Sequence, residues 1–285
     1  MNILVTGGAG FIGHHLIKKL LNENYDVTSI DNYSTGKKSN EVSGCEYINL
    51  NLANQSHNLI NNQYSMCFHL AALSRVQPSF INPAKSIKNN YLSTLNIADF
   101  CNNHNIPLVY AGSSSIHYSP LGSPYAYSKS AGEKLLSMYS KSFKLNCCTA
   151  RFYNVYGRNQ MENGDYATLM GIFEKQYREK KPFTVVGDGK QKRDFIYVGD
   201  IVSALISLGH YLADEKRFNT VFELGTGENY SINEIAKMFG ENYPIKYIDS
   251  RPGEYPETKA DYSMAYDILN WKPKIKLDKY IECIL

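Results

Sequence analysis

The chain has 285 residues, which is enough for one large α/β domain or for a nucleotide-binding domain with a smaller cap. Hydrophobic residues make up 43% of the chain and charged residues 20%, and the net charge of +3 comes without a basic block, which argues against a nucleic-acid partner. No apolar run approaches the ~20 residues of a membrane span. The six cysteines show no CxxC pair and no metal-ligand spacing, so we expect reduced packing residues, no metal site and a cytoplasmic protein without a signal peptide.

The first thirty residues predict a strand, a glycine-rich turn, a helix and a second strand. Residues 1–6 are apolar and lead into the glycine-rich residues 7–13, and apolar residues with helical spacing follow. Such a turn lets the backbone approach a pyrophosphate, whose charge the free N–H groups at the helix start can bind. The second strand, over 26–30, ends at Asp31. A carboxylate there can accept hydrogen bonds from adenosine ribose hydroxyls and repel a 2′-phosphate, so the pattern predicts NAD rather than NADP.

The middle of the chain alternates strands with long helices. Strands are predicted over 46–50, 66–70, 108–111 and 147–152, and helices over 83–104 and 124–143. This alternation predicts a doubly wound parallel sheet of the Rossmann type, in which ligands bind beyond the carboxyl ends of the strands. The glycine turn, Asp31, Ala71-Ala72, the serine triplet 113–115 and Asn154 should therefore share one rim.

The pattern becomes irregular after Asn154. Asp165 is predicted to cap a helix that runs to about residue 180, a helix after Asp200 and a strand over 221–224 return to the main sheet, and the last fifty residues contain short elements. We therefore predict a dinucleotide-binding domain over residues 1–155 plus about 194–228. A small discontinuous α+β cap, over about 156–193 plus 229–285, would bind the substrate.

Tyr125 and Lys129 lie four residues apart on a predicted helix and hence on one face. A tyrosine has a pKa near 10, and a lysine cation one turn away together with a positive nicotinamide favours the phenolate. The phenolate can remove a hydroxyl proton while hydride leaves the same carbon. Ser115, just past the fifth strand, can hydrogen-bond the same hydroxyl. Tyr127 has no lysine four residues later, so we assign the catalytic set to Tyr125, Lys129 and Ser115.

Several motifs in this order resemble one family. They are similar to the motifs of the extended short-chain dehydrogenase/reductases, in particular the NAD-dependent nucleotide-sugar epimerases and dehydratases. The motifs are TGGAGFIG, Asp31, FHLAAL, the serine triplet, PYAYSK, RFYNVYG, GDGKQKRDFIYVGD and RPGE…TKAD. The resemblance runs from residue 1 to about residue 273. It implies a tightly held NAD, a nucleotide-diphosphate sugar as substrate, and a homodimer formed through the two long helices.

The resemblance also implies the binding residues. The cofactor set is Gly7, Gly10, Phe11, Ile12, Gly13, Asp31, Asn32, Asn51, Leu52, Ala71, Ala72, Asn90, Tyr125 and Lys129. The substrate set is Ser114, Ser115, Asn154, Arg193 and Arg251, of which the two arginines also suit a pyrophosphate by charge and geometry. Asn51 stands where an adenine-contacting aspartate is common in the family.

The reaction within the family is indicated by residues 116 and 117. Sugar 4,6-dehydratases carry an Asp-Glu pair there and UDP-glucuronate decarboxylases keep a glutamate, whereas this chain has Ile116-His117. The resemblance therefore implies epimerisation at carbon 4 of UDP-glucose or UDP-N-acetylglucosamine. Thr258 falls where a bulky aromatic restricts the pocket of glucose-only enzymes, which suggests room for an N-acetyl group. The alternatives are a decarboxylase or dehydratase that uses His117, and a non-catalytic NAD-sensing protein.

Overall fold

The computed structural model describes residues 1–54, 64–214 and 218–285. The strands are β1 (Asn2–Thr6), β2 (Asp26–Asp31), β3 (Cys45–Asn49), β4 (Met66–His69), β5 (Leu108–Ser113), β6 (Cys147–Phe152), β7 (Asn154–Tyr156), β8 (Phe183–Val186), β9 (Lys192–Tyr197), β10 (Phe218–Leu224), β11 (Asn229–Ser231) and β12 (Ile245–Ile248). The helices are α1 (Phe11–Asn22), α2 (Val76–Ile81), α3 (Pro83–Asn103), α4 (Pro124–Phe143), α5 (Leu169–Arg178), α6 (Val198–Asp214), α7 (Ile232–Met238), α8 (Ser263–Leu269) and α9 (Leu277–Ile284).

Seven strands form one parallel sheet in the order β10-β6-β5-β4-β1-β2-β3. The central strands β4 and β5 are buried along their whole length, as expected where helices cover both faces. The predicted doubly wound α/β fold is confirmed, and the strands predicted before residue 153 lie within two residues of their observed bounds.

Helices cover both faces of this sheet. On one face, Leu16 and Ile17 of α1 and Leu205 of α6 pack against sheet residues such as Val5 and Phe68. On the other face, helices α3 and α4 bury apolar residues that include Ile97, Cys101 and Leu136. The two layers hold the carboxyl ends of the strands open along a single edge.

Local capping explains where the helices begin. The Asn82 side chain accepts a hydrogen bond from the Lys85 N–H at 3.1 Å before α3, and both α3 and α4 have proline at their first position. The predicted Asp165 cap is wrong. Helix α5 begins at Leu169, because the Thr168 hydroxyl accepts the Gly171 N–H at 2.8 Å and Asp165 stays exposed.

The smaller part of the molecule holds two further sheets, β11-β9-β7 and β12-β8. Their side chains form a separate core with α5, α7 and α9, in which the rings of Phe173 and Phe183 stack 4.4 Å apart. The structure differs from the predicted division in one stretch. Ala260, Ala265 and Trp271, predicted to lie in the cap, pack into the core of the main sheet, because β10 and α6 leave an apolar surface beside them.

No helix in the described part of the chain combines the length and apolarity needed to cross a membrane. Cys67, Cys101, Cys147 and Cys148 are buried, in agreement with a packing role. The prediction that all six cysteines are packing residues is wrong for Cys283, which is exposed on the last helix.

Candidate active site

A cleft of about 770 Å³ opens at the carboxyl ends of the parallel strands, between the main sheet and the smaller part. It is lined by every residue that the sequence placed in the catalytic, cofactor and substrate sets: Gly7, Gly10, Phe11, Ile12, Gly13, Asp31, Asn32, Asn51, Leu52, Ala71, Ala72, Asn90, Ser114, Ser115, Tyr125, Lys129, Asn154, Arg193 and Arg251. The structure therefore brings these residues together around one volume, at the edge where such folds bind ligands.

The glycine-rich turn forms one end of this cleft and leaves no room for side chains. A Cβ atom on Gly7, whose φ is +76°, would lie 2.8 Å from the Ala71 nitrogen, and one on Gly13 would lie 2.2 Å from the Gly7 carbonyl oxygen. Gly10 caps α1 without a side-chain hydrogen bond, so the first N–H groups of this helix stay available. This cradle fits a dinucleotide pyrophosphate by close backbone approach and by the helix dipole.

Asp31 ends the neighbouring strand and is held by the same turn. Its carboxylate accepts hydrogen bonds from the N–H groups of Ala9, at 3.0 Å, and Tyr33, at 2.8 Å. Burial raises the pKa of Asp31, against the opposing effect of these backbone bonds. Each carboxylate oxygen keeps a further lone pair, so the site fits a ribose hydroxyl as well.

Tyr125 lies in the first turn of α4, which the Ser123 hydroxyl caps by accepting the Ala126 N–H at 3.0 Å. Burial raises the pKa of the Tyr125 phenol, whereas a hydrogen bond from the Ser113 side chain and the charge of Arg75 act to lower it. Chemically, this is a partly buried tyrosine with neighbours that stabilise its ionised form.

Lys129 lies one turn further along α4 and is almost fully buried. Its Nζ donates to the Ala111 carbonyl at 2.8 Å and lies 4.9 Å from the centre of the Tyr110 ring. Burial lowers the pKa of Lys129 to about 8, although Glu133 acts in the opposite direction. A cation is thus held at the base of the cleft beside the proposed catalytic tyrosine.

The serine triplet closes the same side of the cleft. The hydroxyls of Ser113 and Ser115 lie 2.9 Å apart, and Ser113 is the serine whose side chain reaches Tyr125. Sequence reasoning named Ser115 as the hydroxyl partner and did not single out Ser113 beside it; both line the cleft. Ser115 lies beyond β5, in the short 3-10 turn Ser114–Ile116, so strand alternation does not relate the two serines. The run of three serines at a strand end is the signal that marks Ser113 as a further candidate.

Asn90 fixes the loop that follows β4. Its side chain accepts the Leu73 N–H at 2.8 Å and donates to the Leu73 carbonyl at 3.2 Å and to Ser128 Oγ at 2.9 Å. The buried amide therefore joins α3, α4 and the loop over the cofactor end of the cleft, in addition to lining that cleft.

The smaller part contributes the opposite wall. Arg193 donates to the Glu254 carboxylate at 3.0 Å, and its guanidinium lies 4.2 Å from the centre of the Tyr255 ring. Asn154 donates to the Asp194 carbonyl at 3.0 Å, and Arg251 is exposed at the rim. Two guanidinium groups at this end suit a diphosphate.

Arg75 also lines the cleft and was not singled out by sequence reasoning. It follows β4, has a φ of +129°, and its Nε donates to the Tyr166 carbonyl at 3.2 Å. Burial lowers the pKa of Arg75, whereas the charges of Tyr125 and Tyr255 act to raise it. No sequence signal marks it, because its loop position carries no periodic pattern.

His117 is directed away from this chemistry. Its Nε2 lies 2.5 Å from a carboxylate oxygen of Glu223, and it is not among the described residues that line the cleft. Burial opposes ionisation of Glu223, but hydrogen bonds from His117, the Asp261 N–H and Tyr153 lower the pKa of Glu223 to about 2. Thr258 is likewise buried outside the lining, so the inference of extra room drawn from it has no support in this geometry.

Comparison with known proteins places these features in context. Residues 3–225 match the model of the NAD dependent epimerase/dehydratase family. A Methanocaldococcus jannaschii protein named "Putative UDP-glucose 4-epimerase" is 32% identical over 99% of this chain and 97% of its own length. UDP-glucuronic acid decarboxylase 1 of Arabidopsis thaliana is 30% identical over 97% of this chain and 67% of its own length.

A solved structure is similar over almost the whole chain. The UDP-glucuronic acid 4-epimerase of Bacillus cereus, in complex with UDP-glucuronic acid and NAD, superposes with a TM-score of 0.88 at 29% identity, covering 99% of this chain and 97% of that one. The names of these similar proteins give two different reactions, epimerisation at carbon 4 and decarboxylation.

Proposed function

Because the chain belongs to the NAD-dependent epimerase/dehydratase family, we propose that it inverts carbon 4 of a nucleotide-diphosphate sugar, a UDP-sugar, through a transient 4-keto intermediate. The observation that carries this proposal is the group formed at the strand ends by the partly buried Tyr125 and the buried Lys129 and Ser113, with no carboxylate acting on Tyr125 in the described part of the chain. Such a site can move a proton and orient a hydroxyl, and it lacks the acid–base pair that loss of water requires.

Each residue has a distinct task in this mechanism. The Tyr125 phenolate accepts the proton of the carbon-4 hydroxyl, while the serine hydroxyls orient that oxygen and Lys129 stabilises the negative phenolate. The glycine-rich turn and Asp31 would hold NAD, which would supply the hydride acceptor that oxidation at carbon 4 requires and the hydride donor for the reverse step. After the keto sugar has turned in the cleft, Tyr125 gives its proton back to the oxygen, so atoms and charge balance over the cycle.

Decarboxylation is the second candidate, favoured by the similarity to the Arabidopsis enzyme. It would require His117 or another group to assist the loss of carbon dioxide. The Glu223 carboxylate engages His117 outside the cleft lining, which supports epimerisation instead. A non-catalytic NAD-sensing protein would not need the buried Tyr125 and Lys129.

The test is product analysis with purified protein. UDP-glucose, UDP-N-acetylglucosamine and UDP-glucuronate are incubated separately without added NADH, and products are separated by anion exchange and weighed by mass spectrometry. We expect a new peak of unchanged mass. A product lighter by about 44 mass units, from loss of one carbon dioxide, would indicate a decarboxylase instead of an epimerase. A product lighter by about 18 mass units, from loss of one water, would indicate a dehydratase.

Tyr125→Phe provides the first mutational prediction. The substitution removes the hydroxyl that carries the proton, so turnover should fall by about 10³-fold or more, within the range of lost proton transfer and orientation. Tyr127→Phe is the matched control, since Tyr127 lies on the same helix but is 46% exposed and outside the cleft lining, and it should keep wild-type turnover. Full activity of Tyr125→Phe would contradict the mechanism.

Two further expectations stay predictions. A homodimer would form through α3 and α4, and α4 presents the exposed apolar residues Met138 and Phe143 that such an interface could cover. The cytoplasmic location expected from the sequence is likewise untested.

A further inference from the structure

Arg75 is a cation inside the cleft that no described carboxylate neutralises. Its one described hydrogen bond goes to the Tyr166 carbonyl, and it forms no salt bridge with an aspartate or glutamate of the described residues. Arg193, the cation of the opposite wall, is paired with Glu254. Arg75 is partly buried, and a guanidinium that loses water without gaining a counter-charge is destabilised, so the position suits a partner with negative charge.

The position of Arg75 in the cleft restricts which negatively charged group it can bind. Arg75 and Tyr125 both line the cleft and act on each other electrostatically. In the proposed mechanism the Tyr125 hydroxyl contacts the oxygen on carbon 4, and the diphosphate is attached to carbon 1, across the pyranose ring. A guanidinium beside Tyr125 therefore faces the substituents next to carbon 4, which are those on carbons 3 and 5.

Carbon 5 carries the group that can be charged. In a neutral hexose this group is a hydroxymethyl, whereas in a uronic acid it is a carboxylate, which binds a guanidinium through two parallel hydrogen bonds. We propose that Arg75 binds the sugar carboxylate and that the substrate is a nucleotide-diphosphate uronic acid. This inference rests on the proposed carbon-4 chemistry and replaces the neutral sugars that the sequence favoured.

The backbone at Arg75 agrees with a functional position. A φ of +129° is rarely adopted by residues other than glycine, and strained residues of this kind persist where the surroundings hold a side chain in a required place. Here the residue with this strained backbone lines the same cleft as Tyr125 and Tyr255.

The pairing also bears on the outcome of the reaction. Oxidation at carbon 4 of a uronic acid gives a β-keto acid. This acid can lose carbon dioxide when the bond between carbons 5 and 6 breaks and its electron pair forms the enolate of carbons 4 and 5. A guanidinium stabilises the carboxylate more than the neutral carbon dioxide that would leave. Arg75 would thus retain the carboxylate, and the product would be the carbon-4 epimer of unchanged mass.

The experiment compares UDP-glucuronate with UDP-glucose in the wild type, Arg75→Met, Arg75→Lys and a control, Lys85→Met. Lys85 is exposed on α3 and lies outside the cleft lining. We expect the wild type to favour UDP-glucuronate in kcat/KM, and Arg75→Met to lower that value at least about 30-fold. The loss on UDP-glucose should be clearly smaller, and it arises because the charge of Arg75 also acts on the Tyr125 phenol. Arg75→Lys should restore part of the preference, and Lys85→Met should match the wild type.

Other outcomes overturn the inference. An equal loss on both substrates, with the activity profile of Arg75→Met shifted to higher pH, would show that Arg75 acts on Tyr125 alone. Unchanged rates of Arg75→Met on both UDP-glucuronate and UDP-glucose would show that Arg75 has no role in substrate binding. Release of carbon dioxide from UDP-glucuronate by the wild type would show that the carboxylate is not retained.

Binding separates this inference from the proposed function. Titration calorimetry with UDP-glucuronate, UDP-glucose and UDP requires no turnover, so it tests Arg75 even if no sugar is epimerised. A preference for UDP-glucuronate that Arg75→Met abolishes, with UDP affinity retained, supports the inference. Equal affinity of the wild type for the two sugars overturns it.

Discussion

At the residue scale, the chemistry depends on how Tyr125 is surrounded. Burial raises the pKa of its phenol, and the Ser113 hydroxyl and the Arg75 charge lower it. Burial lowers the pKa of Lys129 to about 8, which is close to neutral pH. An oxidised nicotinamide near Tyr125 would add a positive charge that stabilises the phenolate.

His69 gives a residue-scale prediction for pH dependence. It is buried at the end of β4 between the hydroxyls of Thr6, at 2.7 Å, and Thr94, at 3.3 Å. Burial, aided by the charge of Lys129, lowers the pKa of His69 to about 3. In the unfolded chain its pKa is about 6.5, so below that pH the unfolded state binds a proton that the native state does not. Stability should therefore fall as the pH drops from 6.5 towards 3.

The measurement is urea unfolding of the wild type and His69→Gln, an uncharged variant, at pH 7.5 and pH 5. The free energy of unfolding of the wild type should fall by about 2 kcal/mol more than that of the variant over this interval, the value for one proton bound only by the unfolded state. Parallel loss in the two proteins would contradict a neutral buried His69.

At the element scale, α4 is the part that positions the catalytic side chains. Its first turn holds Tyr125 and its second holds Lys129, and the Ser123 cap sets where the helix begins. The Tyr125 N–H also donates to Ser79 Oγ at 3.2 Å, which ties this helix start to α2. The direction of the phenol is thus fixed by the helix terminus as well as by its own neighbours.

Ser123→Ala tests that dependence. Loss of the cap should lower the free energy of unfolding by about 1 kcal/mol. Since Tyr125 lies two residues further on, kcat should also fall about tenfold through misplacement of the phenol. Ser231→Ala removes the equivalent cap of α7, where the hydroxyl accepts the Glu234 N–H at 3.1 Å, and should cost similar stability without loss of kcat. Equal kcat values in the two variants would exclude the positioning role.

The same elements show which parts of the fold are readable from sequence. Helices α3 and α4 were predicted almost to the residue, because proline and a capping side chain mark their starts and long apolar periodicity marks their course. The short strands β7, β8, β11 and β12 were not predicted. They have three or four residues each, and their pairing is set by distant parts of the chain rather than by local pattern.

At the scale of the whole molecule, the site is formed where the two parts meet. The cofactor end could be predicted because its residues follow consecutive strands, and parallel strands end at one edge. Arg75 could not be found this way, since its surroundings in the cleft include Tyr255, which is about 180 residues further along the chain. Ser113 was missed because a triplet leaves the direction of each side chain open until the strand end is known.

Asp194 connects the parts across this crevice. Its buried carboxylate accepts the Thr226 N–H and hydroxyl, both at 2.8 Å, the Gly227 N–H at 2.9 Å and the Ala260 N–H at 3.1 Å. Burial raises the pKa of Asp194, and these four bonds oppose that effect by stabilising the anion. The residue next to it is Arg193, so the same carboxylate holds the strand that carries one wall of the cleft.

Asp194→Asn should therefore weaken the whole assembly. An amide has one acceptor oxygen, and its NH₂ group would face an N–H donor, so we expect the free energy of unfolding to fall by roughly 2–4 kcal/mol. Asp188→Asn is the matched control, because Asp188 is exposed on the turn before β9 and should change stability by no more than about 0.5 kcal/mol. Urea unfolding measures both, and titration with UDP should show weaker binding for Asp194→Asn alone. A variant that unfolds like the wild type would mean that the Thr226, Gly227 and Ala260 segments are held in place without this carboxylate.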